Sequence, residues 1–156
     1  MKLSDFIVKE AVIPELQSTD RNGVIRELVE SLKKRDKISP GDVEAIVRAV
    51  VQRENQGSTG FGKGVAVPHA KHPTVKKMVA TIGRSSAGVD FAALDRAPVY
   101  SVVLLLSPQD HPDEHLQAME NIFRHLQQDN FRRFLRQADT VEAIIDLIEE
   151  AEGGLS

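Results

Sequence analysis

Residues 99–107 (VYSVVLLLS) constrain this chain most, because an almost wholly apolar strand needs cover on both faces. A strand wetted on one side alternates polar and apolar residues, whereas residues 102–106 (VVLLL) contain no polar side chain. That run is far shorter than the roughly 20 residues that cross a bilayer, so it belongs inside a domain and no membrane insertion is expected.

The flanking segments supply the cover. In residues 21–35, Val24, Ile25, Leu28, Val29 and Leu32 recur at helical spacing on one face. A second helix is predicted from Ser39 as N-cap, with Pro40 at the first helical position and Asp42 completing a capping-box-like start. Its buried stripe is Val43, Ile46, Val47 and Val50, and it ends near residues 53–56 with Gly57 as a left-handed cap. Residues 65–67, stopped by Pro68, and residues 78–84 (MVATIGR) read as further strands. Beyond the apolar strand, Leu116, Met119, Phe123 and Leu126 line one helix, and Phe131, Phe134 and Leu135 a shorter one. Residues 141–151 close the chain, capped by Asp139 or Thr140 with Glu142. Helices, then strands, then helices predict an α/β fold: a three-layer α/β/α sandwich with a small mixed sheet flanked by helices. Residues 1–152 are expected to form a single domain and residues 153–156 a flexible tail.

With 156 residues, 41% of them hydrophobic, the chain can build one core without disulfides or metals. Its net charge is -3 and its basic residues are interspersed with acidic ones, which argues against nucleic acid as a partner. The absence of cysteine removes zinc-thiolate sites and thiol nucleophiles. The first residues, MKLSDFIVKEAVIPEL, lack the unbroken apolar core of a secretory signal, so a cytoplasmic location is expected.

Residues 57–64 (GSTGFGKG) form a glycine-rich loop, which suggests unusual dihedrals or close backbone approach to a ligand. Gly57, Ser58, Thr59 and Gly60 are its expected binding segment. The stretch from Gly57 to Lys63 fits G-x-x-x-x-G-K, but Gly64 stands where a nucleotide loop needs Ser or Thr to hold magnesium. A short strand with Pro68 then follows instead of a helix, so nucleotide binding is not expected. His69 comes next, held at a sheet edge by rigid backbone. Its imidazole offers an unprotonated nitrogen near neutral pH, although an isolated histidine there more often only caps a strand.

Glu54, six residues, then Phe61-Gly62-Lys63-Gly64-Val65-Ala66-Val67-Pro68-His69-Ala70 resembles the phosphorylation-site signature of the fructose/mannitol-type enzyme IIA domains of the bacterial phosphotransferase system. RENQGSTGFGKGVAVPHAK is similar to the nitrogen-regulatory branch of that family, and VDFAALDRAPVYSVVLLLSPQDHPDEHLQAM extends the likeness over most of the chain. The resemblance implies that His69 accepts a phosphoryl group from HPr or its nitrogen-branch paralogue. It also matches Arg53 to a phosphate-contacting arginine and His115 to a histidine that stabilises the phosphorylated form. Read alone, Arg53 is equally an ordinary cation at a helix C-terminus. His115 falls in the first turn of a helix opened by Pro112, where free N–H groups favour a phosphate. His111 and His115 have the spacing of a metal pair, but Pro112 puts His111 off the helical face. No metal and no cofactor are expected, and His72, His111 and His125 are assigned to the surface or to structure.

Phe61 stands where the family often has isoleucine or leucine, residues 71–77 form a basic loop, and residues 86–90 match the family pattern only loosely. The resemblance implies a phosphocarrier that signals through, or passes its phosphoryl group to, a regulatory target protein. One alternative is a stand-alone sugar-specific enzyme IIA feeding a separate enzyme IIB. The other is a scaffold of the same fold without phosphorylation, against which Arg53, His69 and His115 together argue.

Overall fold

In the computed structural model, which describes residues 1–154, the chain runs through α1 (Arg21–Lys34), α2 (Val43–Gln56), β1 (Val65–Ala66), β2 (His69–His72) and β3 (Val79–Val89). It continues through β4 (Val99–Pro108), α3 (Pro112–Leu126), α4 (Asp129–Gln137) and α5 (Val141–Gly154). Short 3-10 turns sit at Leu3–Asp5, Lys9–Ala11 and Pro40–Asp42.

The apolar strand is the middle one. β3 pairs with one edge of β4 antiparallel, and β1 and β2 pair with the other edge in parallel. Both short strands keep one register, with Val65 opposite Ser101, Ala66 opposite Val102, and His69 opposite Leu105. They are two pieces of a single edge strand interrupted at Val67 and Pro68. Proline has no N–H to give a ladder and is tolerated at such an edge. Its carbonyl still accepts from the Leu105 N–H at 3.1 Å, which carries the register across the break. Outside β3, the N-terminal segment adds isolated parallel bridges from Ile7 to Ala80 and from Ile13 to Gly83.

β4 sorts its side chains between two cores, as expected of a sandwich with three layers. Val102, Leu104 and Leu106 pack with Ile25 and Leu28 of α1 and Ile46 and Val50 of α2. Val103 and Leu105 pack with Ile122 and Leu126 of α3, Leu135 of α4, and Ile144 and Ile148 of α5. The same alternation governs the edge strand, where Ala66 and Ala70 belong to the first core and Val65 and Val67 to the second. His69 therefore points to the side of α3.

Several local expectations are corrected. Ser39 makes no side-chain cap, and residues 40–42 form a 3-10 turn before α2 begins at Val43. Gly57 has φ 166°, ordinary extended backbone rather than a left-handed cap. The strand ended by Pro68 resumes at once, so His69 opens β2 instead of following the last strand. β3 runs on to Val89, past the expected end at residue 84. The buried face of α3 is His115, Ala118, Ile122 and Leu126, while Leu116 is 58% exposed and Met119 and Phe123 are only partly covered. The apolar residues Leu116, Met119 and Phe123 form a second stripe, displaced around the helix from the core. Phe134 is likewise exposed, with the Arg133 guanidinium 5.1 Å from its ring. Thr140 supplies the cap of α5, its Oγ1 accepting from the Ala143 N–H at 3.0 Å. That helix takes in Gly153 and Gly154 of the expected tail, while Leu155 and Ser156 lie outside the described residues.

The two-sided core makes a direct prediction. Leu105→Ala removes a fully buried side chain and should cost about 2–5 kcal/mol, whereas Leu116→Ala on the exposed stripe should stay within about 0.5 kcal/mol. Thermal or urea unfolding of the two variants gives the comparison. A loss at Leu116 as large as that at Leu105 would contradict its place outside the core.

Candidate functional site

His69 is half-buried and held from behind by its own strand. Its Nδ1 lies 2.8 Å from the Val67 carbonyl oxygen. A carbonyl can only accept, so Nδ1 carries the hydrogen and the neutral ring leaves Nε2 bare. The first turn of α3 brings His115 alongside, with ring centroids 5.4 Å apart and planes inclined at 47°. His115 is buried, and its Nδ1 lies 2.7 Å from Oγ of Ser107 on β4.

Arg53 closes a third side from the last turn of α2. One Nη donates to the Gly57 carbonyl at 2.9 Å, which steers the guanidinium without using up its remaining donors. The next residue, Glu54, points inward and is 2% exposed. Its carboxylate accepts from the Thr59 N–H at 3.1 Å and from the Thr59 hydroxyl. Oγ1 of Thr59 accepts in turn from the Val67 N–H at 3.1 Å. A buried carboxylate thus anchors, through Thr59, the residue whose carbonyl holds His69. Sequence reasoning quoted Glu54 as the start of the motif and missed this role. The signal was a charged residue three places after Val51 and four after Val50, on the apolar side of α2.

The four loop residues separate in space. Ser58 and Thr59 line a cleft of about 650 Å³ together with Arg53, His69 and His115. Ser58 Oγ accepts from the Gly60 N–H at 3.0 Å. Gly60 is needed for close packing against residues 92–94: an added Cβ would lie 2.9 Å from the Ala93 Cβ, and the Gly60 carbonyl accepts from the Leu94 N–H at 2.8 Å. Gly57 is open, with nothing within 4 Å of an added Cβ. The far wall of the cleft is the apolar stripe of α3, Leu116, Met119 and Phe123, with the Phe61 ring 5.2 Å from that of Phe123. A second, polar cleft of about 560 Å³ opens on the other side of the same three groups, lined by Gln52, Gln56, Lys71 and Gln109. The sequence assigns Leu116, Met119 and Phe123 to the core face of their helix and Lys71 only to the basic stretch at residues 71–77, not to walls of the site.

The other histidines stand apart. His111 is the exposed N-cap residue of α3, and Nδ1 of His72 lies 2.8 Å from Oγ1 of Thr74. His125 is buried beneath α3 with Nδ1 bonded to the Asn121 carbonyl at 2.9 Å. Among the described residues no group of three or more His, Cys, Asp or Glu is placed to hold a metal ion, and no helix is long and apolar enough to cross a membrane.

Electrostatics keep both site imidazoles uncharged near neutral pH. Burial pushes His69 below its ordinary value, and Arg53 and Lys71 push the same way, against the Val67 carbonyl and Glu54. His115 is lowered from 6.5 to about 4, first by burial and then by His69 and Lys71. The site therefore offers a bare nitrogen flanked by a guanidinium and a helix N-terminus. Such an arrangement suits nucleophilic attack on an anionic group, with positive charge ready for its oxygens.

Residues 5–151 match the family model described as "Phosphoenolpyruvate-dependent sugar phosphotransferase system, EIIA 2". The chain is 33% identical over 150 residues to the fructose-specific EIIABC component of Bacillus subtilis, covering 96% of this chain and 23% of that protein. It is 30% identical over 148 residues to the nitrogen regulatory protein of Bradyrhizobium diazoefficiens, covering 95% of each. The crystal structure of the nitrogen regulatory protein IIA-Ntr from Neisseria meningitidis superposes with a TM-score of 0.83 at 25% identity, over 94% of this chain and 98% of that one.

The lowered values of the two histidines have a pH consequence. His115 should remain uncharged from pH 8 to about pH 5, and His69 should titrate below 6.5. In the unfolded chain both take up protons near 6.5, so below that pH the unfolded state binds protons that the folded state refuses. Stability should fall as pH drops from 6.5 towards about 4. Imidazole NMR titration, with melting curves across the same range, measures both effects. Titration of His115 at or above 6.5 would refute the burial argument.

Proposed function

Because this chain belongs to the EIIA 2 family of the phosphoenolpyruvate-dependent sugar phosphotransferase system, we propose that it is a cytoplasmic phosphocarrier that accepts a phosphoryl group on Nε2 of His69. The observation that carries this reading is the Val67 carbonyl on Nδ1, which leaves one nitrogen both unprotonated and facing the cleft. In the transfer, the Nε2 lone pair forms a bond to phosphorus as the bond to the donor's nitrogen breaks. The bonding pair returns to the donor, and the proton on Nδ1 stays where it is. Arg53 and His115 contact the phosphoryl oxygens, and Ser58 and Thr59 bound the space the group enters. Phosphoryl transfer asks mainly for positioning and charge stabilisation, which these groups supply. No cofactor takes part.

The donor in this reading is phospho-HPr or its nitrogen-branch paralogue. A protein partner suits the cleft, whose apolar wall of Phe61, Leu116, Met119 and Phe123 lies beside the reacting nitrogen. The output is regulatory: the phosphorylation state of His69 selects which target protein is bound. A second reading, delivery to a separate enzyme IIB, draws on the 33% identity to a fructose-specific component. Phosphorylated protein incubated with a fructose-type enzyme IIB separates the two, since a regulator retains its phosphoryl group there and a transport component loses it.

His69→Ala should abolish labelling by phosphoenolpyruvate, enzyme I and an HPr-type donor, with unchanged melting temperature. Arg53→Ala removes charged hydrogen bonds that exist only once the phosphoryl group arrives, so transfer should slow roughly 10- to 150-fold. Leu116→Asp should raise the KM for the protein donor about tenfold or more by placing a charge on the apolar wall. Mass spectrometry and quenched-flow labelling read all three, and transfer should persist in chelator. A phosphorylated His69→Ala protein, or full-speed transfer in Arg53→Ala, would remove the residue concerned from the site.

A further inference from the structure

A buried hydroxyl bonds His115 directly, another anchors the residue whose carbonyl holds His69, and the direction of each hydrogen bond is fixed by what its partners can do. On the His69 side, the Val67 N–H donates to Thr59 Oγ1 and the Thr59 hydroxyl donates onward to the Glu54 carboxylate. The Thr59 backbone N–H donates to the other carboxylate oxygen at 3.1 Å. Holding the Val67 N–H on a buried hydroxyl fixes the backbone at Val67, and with it the direction in which the Val67 carbonyl points. That carbonyl holds the Nδ1–H of His69. Glu54, Thr59 and Ser107 are all nearly or fully buried, so water does not compete for these bonds.

On the His115 side, the Ser107 hydroxyl is fully buried, and among the described residues its only hydrogen-bond partner is Nδ1 of His115. A buried hydroxyl hydrogen without an acceptor is costly, so Ser107 donates and Nδ1 of His115 accepts. The hydrogen of a neutral His115 must then sit on Nε2. Two adjacent rings thereby present opposite faces, one a lone pair and the other an N–H.

We propose that Thr59, anchored by Glu54, and Ser107 are positioning residues that lock the two histidines in opposite tautomers, so that His69 offers a bare Nε2 to phosphorus while His115 offers an Nε2–H to a phosphoryl oxygen. The inference rests on the phosphocarrier reading for its purpose, while the tautomers themselves are properties of the free protein. Were both rings in the same form, either the nucleophile would carry a proton or His115 would turn a lone pair towards an anion. Phosphorylation also leaves positive charge on the His69 ring; its Nδ1–H is held by the Val67 carbonyl, and the Glu54 carboxylate favours that charge through space.

Imidazole nitrogen shifts in ¹⁵N-labelled protein at pH 7.5 distinguish the two tautomers directly. Wild type should show His69 protonated on Nδ1 and His115 on Nε2. Thr59→Val keeps the shape and removes the hydroxyl, and Ser107→Ala does the same on the other side. Each should move its own histidine towards a mixture of tautomers, leave the other unchanged, and slow phosphorylation by phosphoramidate about tenfold, the effect of losing one net hydrogen bond. Thr59→Ser and Ser107→Thr should restore most of the tautomer preference and the rate, which a merely structural role would not require. If Thr59→Val does not fold, Glu54→Gln loosens the same anchor of Val67, weakening the His69 preference without removing any side chain. A His115 found protonated on Nδ1 in wild type, or tautomers indifferent to all these variants, would overturn the proposal. Correct tautomers in a protein that no histidine-phosphorylating donor can label would instead count against the phosphocarrier reading alone.

Discussion

The pairing of the interrupted edge strand with β4 decides where His69 points, since side chains alternate across a strand and a slip of one residue would carry the imidazole to the opposite face. Val65 opposite Ser101 and His69 opposite Leu105 belong to one register, and the Pro68 carbonyl keeps it across the gap. The apolar sides of β4 hold that register in place. A one-residue slip of the edge strand would exchange Ala66 and Ala70 with the bulkier Val65 and Val67 between the two cores and press His69 into the packing of α1 and α2. Global burial thus fixes a local detail, the side of the sheet on which the nitrogen sits.

Within that frame the site is built from polar groups that carry no water-facing excuse. Glu54, Thr59, Ser107 and His115 are all buried, and each has a partner chosen from within the same few residues. Buried polar groups left unpaired are costly, so such a set is stable only when every member is satisfied. The charged members that remain accessible, Arg53 and Lys71, lie at the mouths of the clefts. The buried groups bond to one another, and the cations stand at the rim.

Much of this was legible beforehand. The apolar run of β4 required cover on two sides, and the heptad-like stripes of α1 and α2 supplied half of it. The residues 53, 69 and 115 converge as the family likeness implied, although periodicity alone gave no reason to bring them together. The failures have physical causes. Pro68 was taken as a strand end because it lacks an N–H, yet at a sheet edge only its carbonyl is asked to contribute. On α3 the apolar residues outnumber the core positions, and periodicity could not tell the buried stripe from the one beside the cleft. Thr59 lines the cleft, as the reading of the glycine loop expected, but its hydrogen bonds run inward to a carboxylate whose burial the sequence did not announce.

Committing Nδ1 of His69 to the Val67 carbonyl leaves a single atom for all traffic. In a carrier built this way, whatever loads the group and whatever removes it must approach the same nitrogen along the same line. The two visitors exclude each other, and each cycle needs a departure before the next arrival. Exchange then follows double-displacement kinetics in which an excess of either partner inhibits the other. The abundance of competing proteins, as much as the chemistry, becomes the throttle on how quickly the label turns over.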